Sequence, residues 1–153
     1  MPSRLQLALN VSDIDQAVAF YAKLFGVEPA KRRPGYANFA IADPPLKLVL
    51  LENPGQGGSL NHLGVEVADI SAVDAEQTRL AATGLDLADE RDTTCCYAKQ
   101  DKFWVTDAPN GESWEFYTVL EDSATFYGQD DSQACCGGPA GSSAETAAGT
   151  SCC

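Results

Sequence analysis

Two adjacent cysteines, Cys95 and Cys96, lie in the stretch Thr93-Thr94-Cys95-Cys96-Tyr97-Ala98-Lys99-Gln100-Asp101-Lys102. A thiolate binds soft metals and metalloids, and nearby cations such as Arg91, Lys99 and Lys102 lower the pKa of a thiol. Neighbouring residues on a regular strand point to opposite faces, so two sulfurs that grip one atom must sit on a loop or at a strand end. The plain alternative is a pair of inert, half-buried cysteines. The other side chains suited to coordination are the single histidine, His62, with Gln6 and Glu115, which are far apart in the chain. Three nitrogen and oxygen donors brought together would leave open positions on a metal.

The chain that must position them has 153 residues, enough for one compact domain or two small similar halves around a core that needs no staples. Its 44% hydrophobic and 21% charged residues are those of an ordinary globular protein, and no apolar run has the length of a membrane span. Met1-Pro2-Ser3-Arg4-Leu5 lacks the pattern of a secretory signal, so a cytoplasmic location and reduced thiols are expected. The six cysteines form three adjacent pairs, Cys95-Cys96, Cys135-Cys136 and Cys152-Cys153, without the CxxC spacing of a structural zinc site. A formal net charge of -12 argues against a nucleic-acid groove, and the one basic run, Lys31-Arg32-Arg33, reads as a solvated loop. Residues 129–153 are rich in Gly, Ser, Ala and Thr and read as a flexible, cysteine-containing tail.

Shifting the sequence by 56 residues exposes an internal repeat. Gln6-Leu7-Ala8-Leu9-Asn10-Val11-Ser12-Asp13-Ile14 matches His62-Leu63-Gly64-Val65-Glu66-Val67-Ala68-Asp69-Ile70 in pattern, each an alternating strand that enters a helix. Alternation puts Leu5, Leu7, Leu9 and Val11 on one face and Gln6, Ala8 and Asn10 on the other, so Gln6 and His62 occupy one equivalent polar-face slot. Ser12 or Asp13 caps a first helix whose Ile14, Ala17, Val18, Tyr21, Leu24 and Phe25 recur at helical spacing up to Gly26. A second helix is predicted from Asp69 to Gly84, with Ile70, Val73 and Leu80 on its apolar side. Strands are predicted at about 27–31, 36–41 and 47–52, and again at 85–91, 102–106 and 113–120. Each unit therefore reads β-α-β-β-β, with modules at about 3–53 and 59–120 in a domain spanning 1–128. The class is α+β, and pairing of the two modules into a concave, mixed-sheet half-barrel would create a central pocket. Glu115 stands on the last strand, and if its face looks inward it joins Gln6 and His62. The symmetric slot in Lys47-Leu48-Val49-Leu50-Leu51 offers no fourth ligand.

These paired modules, together with Asp107-Ala108-Pro109-Asn110-Gly111 and Trp114-Glu115, resemble the vicinal oxygen chelate superfamily of glyoxalases, bleomycin-resistance proteins and extradiol dioxygenases, over residues 3–120. Within it, Asn61-His62-Leu63-Gly64-Val65-Glu66 and Thr93-Thr94-Cys95-Cys96-Tyr97-Ala98 resemble the carbon-arsenic lyases, long grouped with cadmium-induced proteins. The resemblance implies Fe(II) held by Gln6, His62 and Glu115, a trivalent organoarsenical bound through Cys95 and Cys96, and dioxygen as co-substrate for carbon-arsenic cleavage, a detoxifying reaction. Tyr97, Lys99 and Lys102 are then candidates for the substrate pocket, and Cys135, Cys136, Cys152 and Cys153 for an arsenical relay. Gln6 departs from the histidine common in extradiol dioxygenases and argues against catechol cleavage. A thiol-based metal or metalloid binder without turnover, and a glyoxalase-like isomerase using another divalent metal, are the competing readings. Small-molecule chemistry without nucleic acid or membrane is expected, in a monomer or a homodimer that exchanges modules through the link at Pro54-Gly55-Gln56-Gly57-Gly58.

Overall fold

The computed structural model describes residues 2–126. The first module runs β1 (Arg4–Val11), α1 (Ile14–Phe25), β2 (Lys31–Arg33), β3 (Tyr36–Ile41) and β4 (Leu46–Glu52). The second repeats it as β5 (Leu60–Glu66), α2 (Ile70–Ala81), β6 (Leu87–Cys95), β7 (Ala98–Val105) and β8 (Trp114–Asp122). The tail expected at 129–153, and with it Cys135, Cys136, Cys152 and Cys153, lies outside the described residues.

Both helices begin at the same signal. Asp13 accepts from the Gln16 amide at 2.9 Å and Asp69 from the Ala72 amide at 2.9 Å, each satisfying a first-turn N–H that has no partner within its helix. Gly26, at φ 67°, closes α1 in the left-handed conformation that L side chains avoid. The second helix stops at Ala81, short of the predicted Gly84. There Thr83 N–H bonds Leu80 O and Gly84 N–H bonds Ala81 O, so the chain tightens out of the α-helix before the glycine is reached.

All strands join one sheet in the order β2-β3-β4-β1-β5-β8-β7-β6. Its centre is the antiparallel pairing of β1 with β5, and each of these runs parallel to the last strand of its own module, β4 or β8. The modules thus pair within one chain. Leu7, Leu9 and Val11 pack with Ile14, Val18, Phe39, Leu48 and Leu50 beneath α1. Val65 and Val67 pack with Val73, Leu80 and Phe103 beneath α2, where Phe103 and Phe116 stack at 5.3 Å. With each apolar face covered by its helix, the opposite face of the curled sheet becomes the floor of a concavity.

Several predicted boundaries move. The strand placed at 27–31 is the edge strand Lys31–Arg33, so the basic run is not a solvated loop: Lys31 Nζ bonds Asp122 Oδ1 at 2.5 Å and the Tyr97 carbonyl at 3.0 Å, and Arg32 pairs with Asp15. The outer hairpin of the second module is longer than its 85–91 and 102–106 segments. Polar residues in 92–101 hide the strand period, and the ladder shifts register between Glu90 and Thr93. At that irregularity Asp92 takes a φ of 53° and its amide donates to Asp101 Oδ1 at 2.7 Å.

Leu50 is fully buried between β4 and α1. Leu50→Ala is expected to cost about 2–5 kcal/mol in urea unfolding, with an unchanged m-value.

Candidate metal centre

The register of β1, β5 and β8 builds the site. Gln6 stands opposite Gly64, Ala8 opposite His62, and Gly64 in turn beside Glu115. Gln6 and His62 therefore project from the same face, each facing a small residue of the other module, and Glu115 closes the set from the next strand. Gly64 makes the space: a Cβ there would meet Glu115 Cγ at 3.0 Å and Gln6 Nε2 at 3.2 Å. The corresponding neighbour of Ala8 is Val49, so no fourth donor stands in the symmetric slot.

Gln6 Nε2 lies 3.1 Å from His62 Nε2 and 2.7 Å from Glu115 Oε1, and His62 Nε2 is 3.3 Å from Glu115 Oε1. All three residues are buried. Ligands about 2.1 Å from a metal and at right angles to one another are about 3 Å apart, so this triangle has the dimensions of one face of an octahedron. Among the described residues no group of three His, Cys, Asp or Glu side chains could hold a metal ion, so a centre here depends on the amide of Gln6.

The tautomer of His62 follows from a chain of hydrogen bonds anchored on a backbone carbonyl. Ser59 Oγ donates to Gln56 O at 2.6 Å and so accepts from Asn10 Nδ2 at 2.9 Å. Asn10 Oδ1 then accepts from Asn61 Nδ2 at 2.9 Å, and Asn61 Oδ1 faces His62 Nδ1 at 2.8 Å. Nδ1 must carry the proton of that last bond, which turns the Nε2 lone pair toward Gln6 and Glu115. An imidazole held through its other nitrogen is the usual arrangement of a metal ligand.

Lys102 completes the electrostatics. Its ammonium, on a fully buried residue, is 3.1 Å from Glu115 Oε2 and 5.0 Å from the centre of the Trp104 ring. Burial alone pushes the Glu115 carboxyl up, but the Lys102 ammonium beside it outweighs burial and holds the group well below the usual carboxylate range. Lys102 thus keeps Glu115 anionic and engages one oxygen, leaving Oε1 toward the centre. Lys102 also lies 3.8 Å from Glu90 Oε2, and the Glu90 carboxyl is pushed up, chiefly by burial.

The cysteines end one hairpin strand and begin its turn. Cys95 pairs with Ala98 across β6 and β7, while Cys96 and Tyr97 take φ values of 53° and 60°, the left-handed pair that a two-residue hairpin turn requires. The strand-end position expected for a gripping pair is met, with the sulfurs 3.6 Å apart. The two sulfurs are not bonded to each other, because 3.6 Å far exceeds a bonded S–S distance of about 2.05 Å. Cys96, Tyr97 and Phe126 pack on Ala8, Tyr36, Val49 and Leu51, the concave floor of the first module. Tyr97 also meets Tyr36 at 5.2 Å between ring centres. The hairpin tip thus reaches across the concavity to the opposite module.

The cations expected to activate the thiols are otherwise engaged. Arg91 pairs with Asp74 and Asp89. Lys99 lies on the opposite face of β7 from Lys102 and pairs with Asp92 at 2.8 Å, so it is not a pocket residue. The cation whose field meets Cys96 is Lys47: burial lowers its pKa, whereas Glu66, Cys96 and Glu115 raise it. Burial likewise raises Tyr36, helped by Cys96 and, more weakly, Glu115. Lys47, Tyr36, Asn61, Glu66 and Tyr117 join the site from positions to which the sequence pattern attaches no role. The readable signal was Lys47, the one charge inside the apolar run 46–51.

The family model described as the Glyoxalase/Bleomycin resistance protein/Dioxygenase superfamily matches residues 4–116. The chain belongs to this superfamily. It is 67% identical over 124 residues to the cadmium-induced protein CadI of Mycobacterium bovis, covering 81% of each chain. It is also 55% identical over 152 residues to the trivalent organoarsenical cleaving enzyme of Thermomonospora curvata, covering 99% of each. Among solved structures, methylmalonyl-CoA epimerase from Mycobacterium tuberculosis shares the fold, with a TM-score of 0.54 and 18% identity over 74% of this chain and 85% of that one. No helix among the described residues is long and apolar enough to cross a membrane.

Lys102→Met would leave Glu115 buried without its cation and is expected to cost about 3–5 kcal/mol in chemical denaturation at neutral pH. The sign with pH follows from the depressed carboxyl. Its stabilisation is complete above the ordinary carboxylate pKa and is lost as pH falls through the lower folded value. In Lys102→Met the folded pKa rises, so the variant should gain stability relative to wild type as the pH is lowered through the ordinary carboxylate range.

Proposed function

We propose that the chain is an Fe(II)- and dioxygen-dependent enzyme that cleaves the carbon-arsenic bond of trivalent organoarsenicals, releasing arsenite. The observation that carries this reading is that one concavity holds both a three-donor face of nitrogen and oxygen groups and a hairpin tip with two adjacent sulfurs. Relatives named as trivalent organoarsenical cleaving enzymes support the substrate class. The two ligand types suit two reactants, because trivalent arsenic prefers sulfur and ferrous iron accepts imidazole, carboxylate and amide oxygen.

Gln6, His62 and Glu115 would hold the iron, which when bound supplies open positions at which dioxygen can be activated. Cys95 and Cys96, in reduced form, displace the arsenical's two hydroxyls as water and tether arsenic through two sulfurs. Because Cys96 packs beside Ala8, whose cross-strand partner is His62, the tethered carbon is delivered toward the donor face. Such tethering replaces a bimolecular encounter with a positioned one. Tyr97, Tyr36 and Phe126 cover the turn and limit the entry of water. The balance for monomethylarsenite is closed: dioxygen takes up the electrons that carbon gives up, one oxygen atom leaves on carbon as formaldehyde, the other ends on arsenic as arsenite, and arsenic stays trivalent. The donor set of only three, with Val49 in the symmetric slot, favours this chemistry over a four-ligand isomerase.

The test is arsenic speciation after incubating the reduced, Fe(II)-loaded protein with monomethylarsenite in air and under argon. Arsenite should form in air alone, with matching oxygen uptake. Cys95→Ser and Cys96→Ser, at unchanged iron content, should each lower turnover by two or more orders of magnitude, on the order of what positioning supplies. Wild-type turnover in both variants would refute the thiol role, and arsenic bound without arsenite or oxygen uptake would instead identify a sequestering protein.

A further inference from the structure

Tyr117 presents a conflict in its hydrogen bonds. Its hydroxyl is 2.5 Å from Gln6 Oε1 and 3.1 Å from Glu66 Oε2, two acceptors, and a phenol has one proton to give. Glu66 cannot relieve this, because as a carboxylate held by Arg4 at 3.0 Å and Lys47 at 3.6 Å it only accepts. The residue that can relieve it is Gln6, whose amide oxygen and nitrogen exchange places on a half-turn about the terminal bond. With Nε2 toward Tyr117, the phenol accepts from Gln6 and donates to Glu66, and every group in the chain Glu66–Tyr117–Gln6 is satisfied. The half-turn also brings the amide oxygen against Glu115 Oε1 and the His62 Nε2 lone pair. Three lone-pair donors cannot face one another at 2.7–3.3 Å unless a cation stands among them.

We infer that Glu66 and Tyr117 form an orienting device for Gln6, which selects the amide oxygen over the nitrogen as its metal ligand. The inference rests on the metal reading of the three-donor face. A neutral amide nitrogen has no lone pair to offer a divalent ion, so a Gln ligand is competent in one of its two orientations only, and something outside the donor face must choose between them. Glu66 draws the phenolic proton to itself, which turns the Tyr117 lone pairs toward Gln6 and makes Nε2 its proper neighbour. Arg4 and Lys47, paired with the Glu66 carboxylate, fix it in place as an acceptor. Tyr117 and Glu66 are thus positioning residues that touch neither arsenical nor dioxygen in this scheme. The device parallels the Asn10–Asn61–His62 chain on the other side of the centre, where a fixed acceptor also dictates which atom points inward.

The experiment is anaerobic titration of the full chain with Mn(II), followed by the EPR signal of the free ion, because Mn(II) favours oxygen ligands and leaves the cysteines aside. Tyr117→Phe should weaken Mn(II) binding roughly 10-fold, the scale of outer-shell changes at metal sites, and Glu66→Gln, which keeps the phenol, should weaken it by a smaller factor. In a Gln6→Glu background both ligand atoms are oxygens, no orientation remains to be chosen, and Tyr117→Phe should change affinity by less than about twofold. Wild-type affinity in Tyr117→Phe, or the same loss in the Gln6 and Gln6→Glu backgrounds, would overturn the inference and reduce Tyr117 to a packing residue. If Tyr117→Phe does not fold by circular dichroism, Glu66→Gln decides alone: unaltered affinity overturns the inference. A wild-type chain that binds no Mn(II) or Fe(II) would overturn the metal reading itself and the inference with it, whereas a binding wild type beside an indifferent Tyr117→Phe overturns only the orienting role.

Discussion

The antiparallel pairing of β1 with β5 is the constraint on which the rest depends. Residues equivalent in the repeat do not stand opposite each other in that pairing: Gln6 meets Gly64 and His62 meets Ala8, so each large polar side chain is given room by a small residue from the other module. A slip of one residue would turn both to the helix side of the sheet, into apolar layers that cannot satisfy them. The helices oppose that slip, because Leu7, Leu9, Val11, Val65 and Val67 would then lose their cover. The packing that stabilises the fold and the convergence of the donors are thus one register.

Around this centre the second module supplies most of the charge. Glu115, Lys102, Glu66 and Tyr117 come from β5, β7 and β8, and the ammonium and carboxylate of Lys102 and Glu115 share a dry environment in which neither would be tolerated alone. The first module supplies Gln6, Lys47 and an apolar-aromatic floor of Tyr36, Val49 and Leu51, on which the cysteine hairpin rests. This division follows from the degenerate repeat. One copy keeps a carboxylate beside its central strand, while the other has Val49 in that position and leaves the wall to the substrate.

Much of this was legible in the sequence, for identifiable reasons. The 56-residue repeat set the two modules, and period-two alternation gave Gln6 and His62 one equivalent slot, because burial of one strand face writes itself directly into residue pattern; the inward face of Glu115 was a condition that alternation alone did not meet. What alternation could not convey was pairing across strands. The roles of Gly64 as a hole, of Tyr117 between Gln6 and Glu66, and of Asn61 behind His62 depend on register between segments 50 or more residues apart. Lys99 and Lys102 illustrate the same limit. Both stand close to the thiols in the sequence, yet they lie on opposite faces of β7, where Lys102 neutralises Glu115 and Lys99 is tied to Asp92 at the surface. The strand extending to Cys95 was hidden because its residues 92–94 are polar on both faces.

The central claim is that Gln6, His62 and Glu115 act together as one metal-binding face. It is tested most directly by anaerobic Fe(II) titration of wild type, His62→Ala and Glu115→Ala, each shown to be folded and with cysteines blocked so that sulfur cannot bind the metal. One equivalent bound tightly by wild type, and weakened by at least about 100-fold in each variant, is the expected result. Equal stoichiometry and affinity in all three proteins would contradict it.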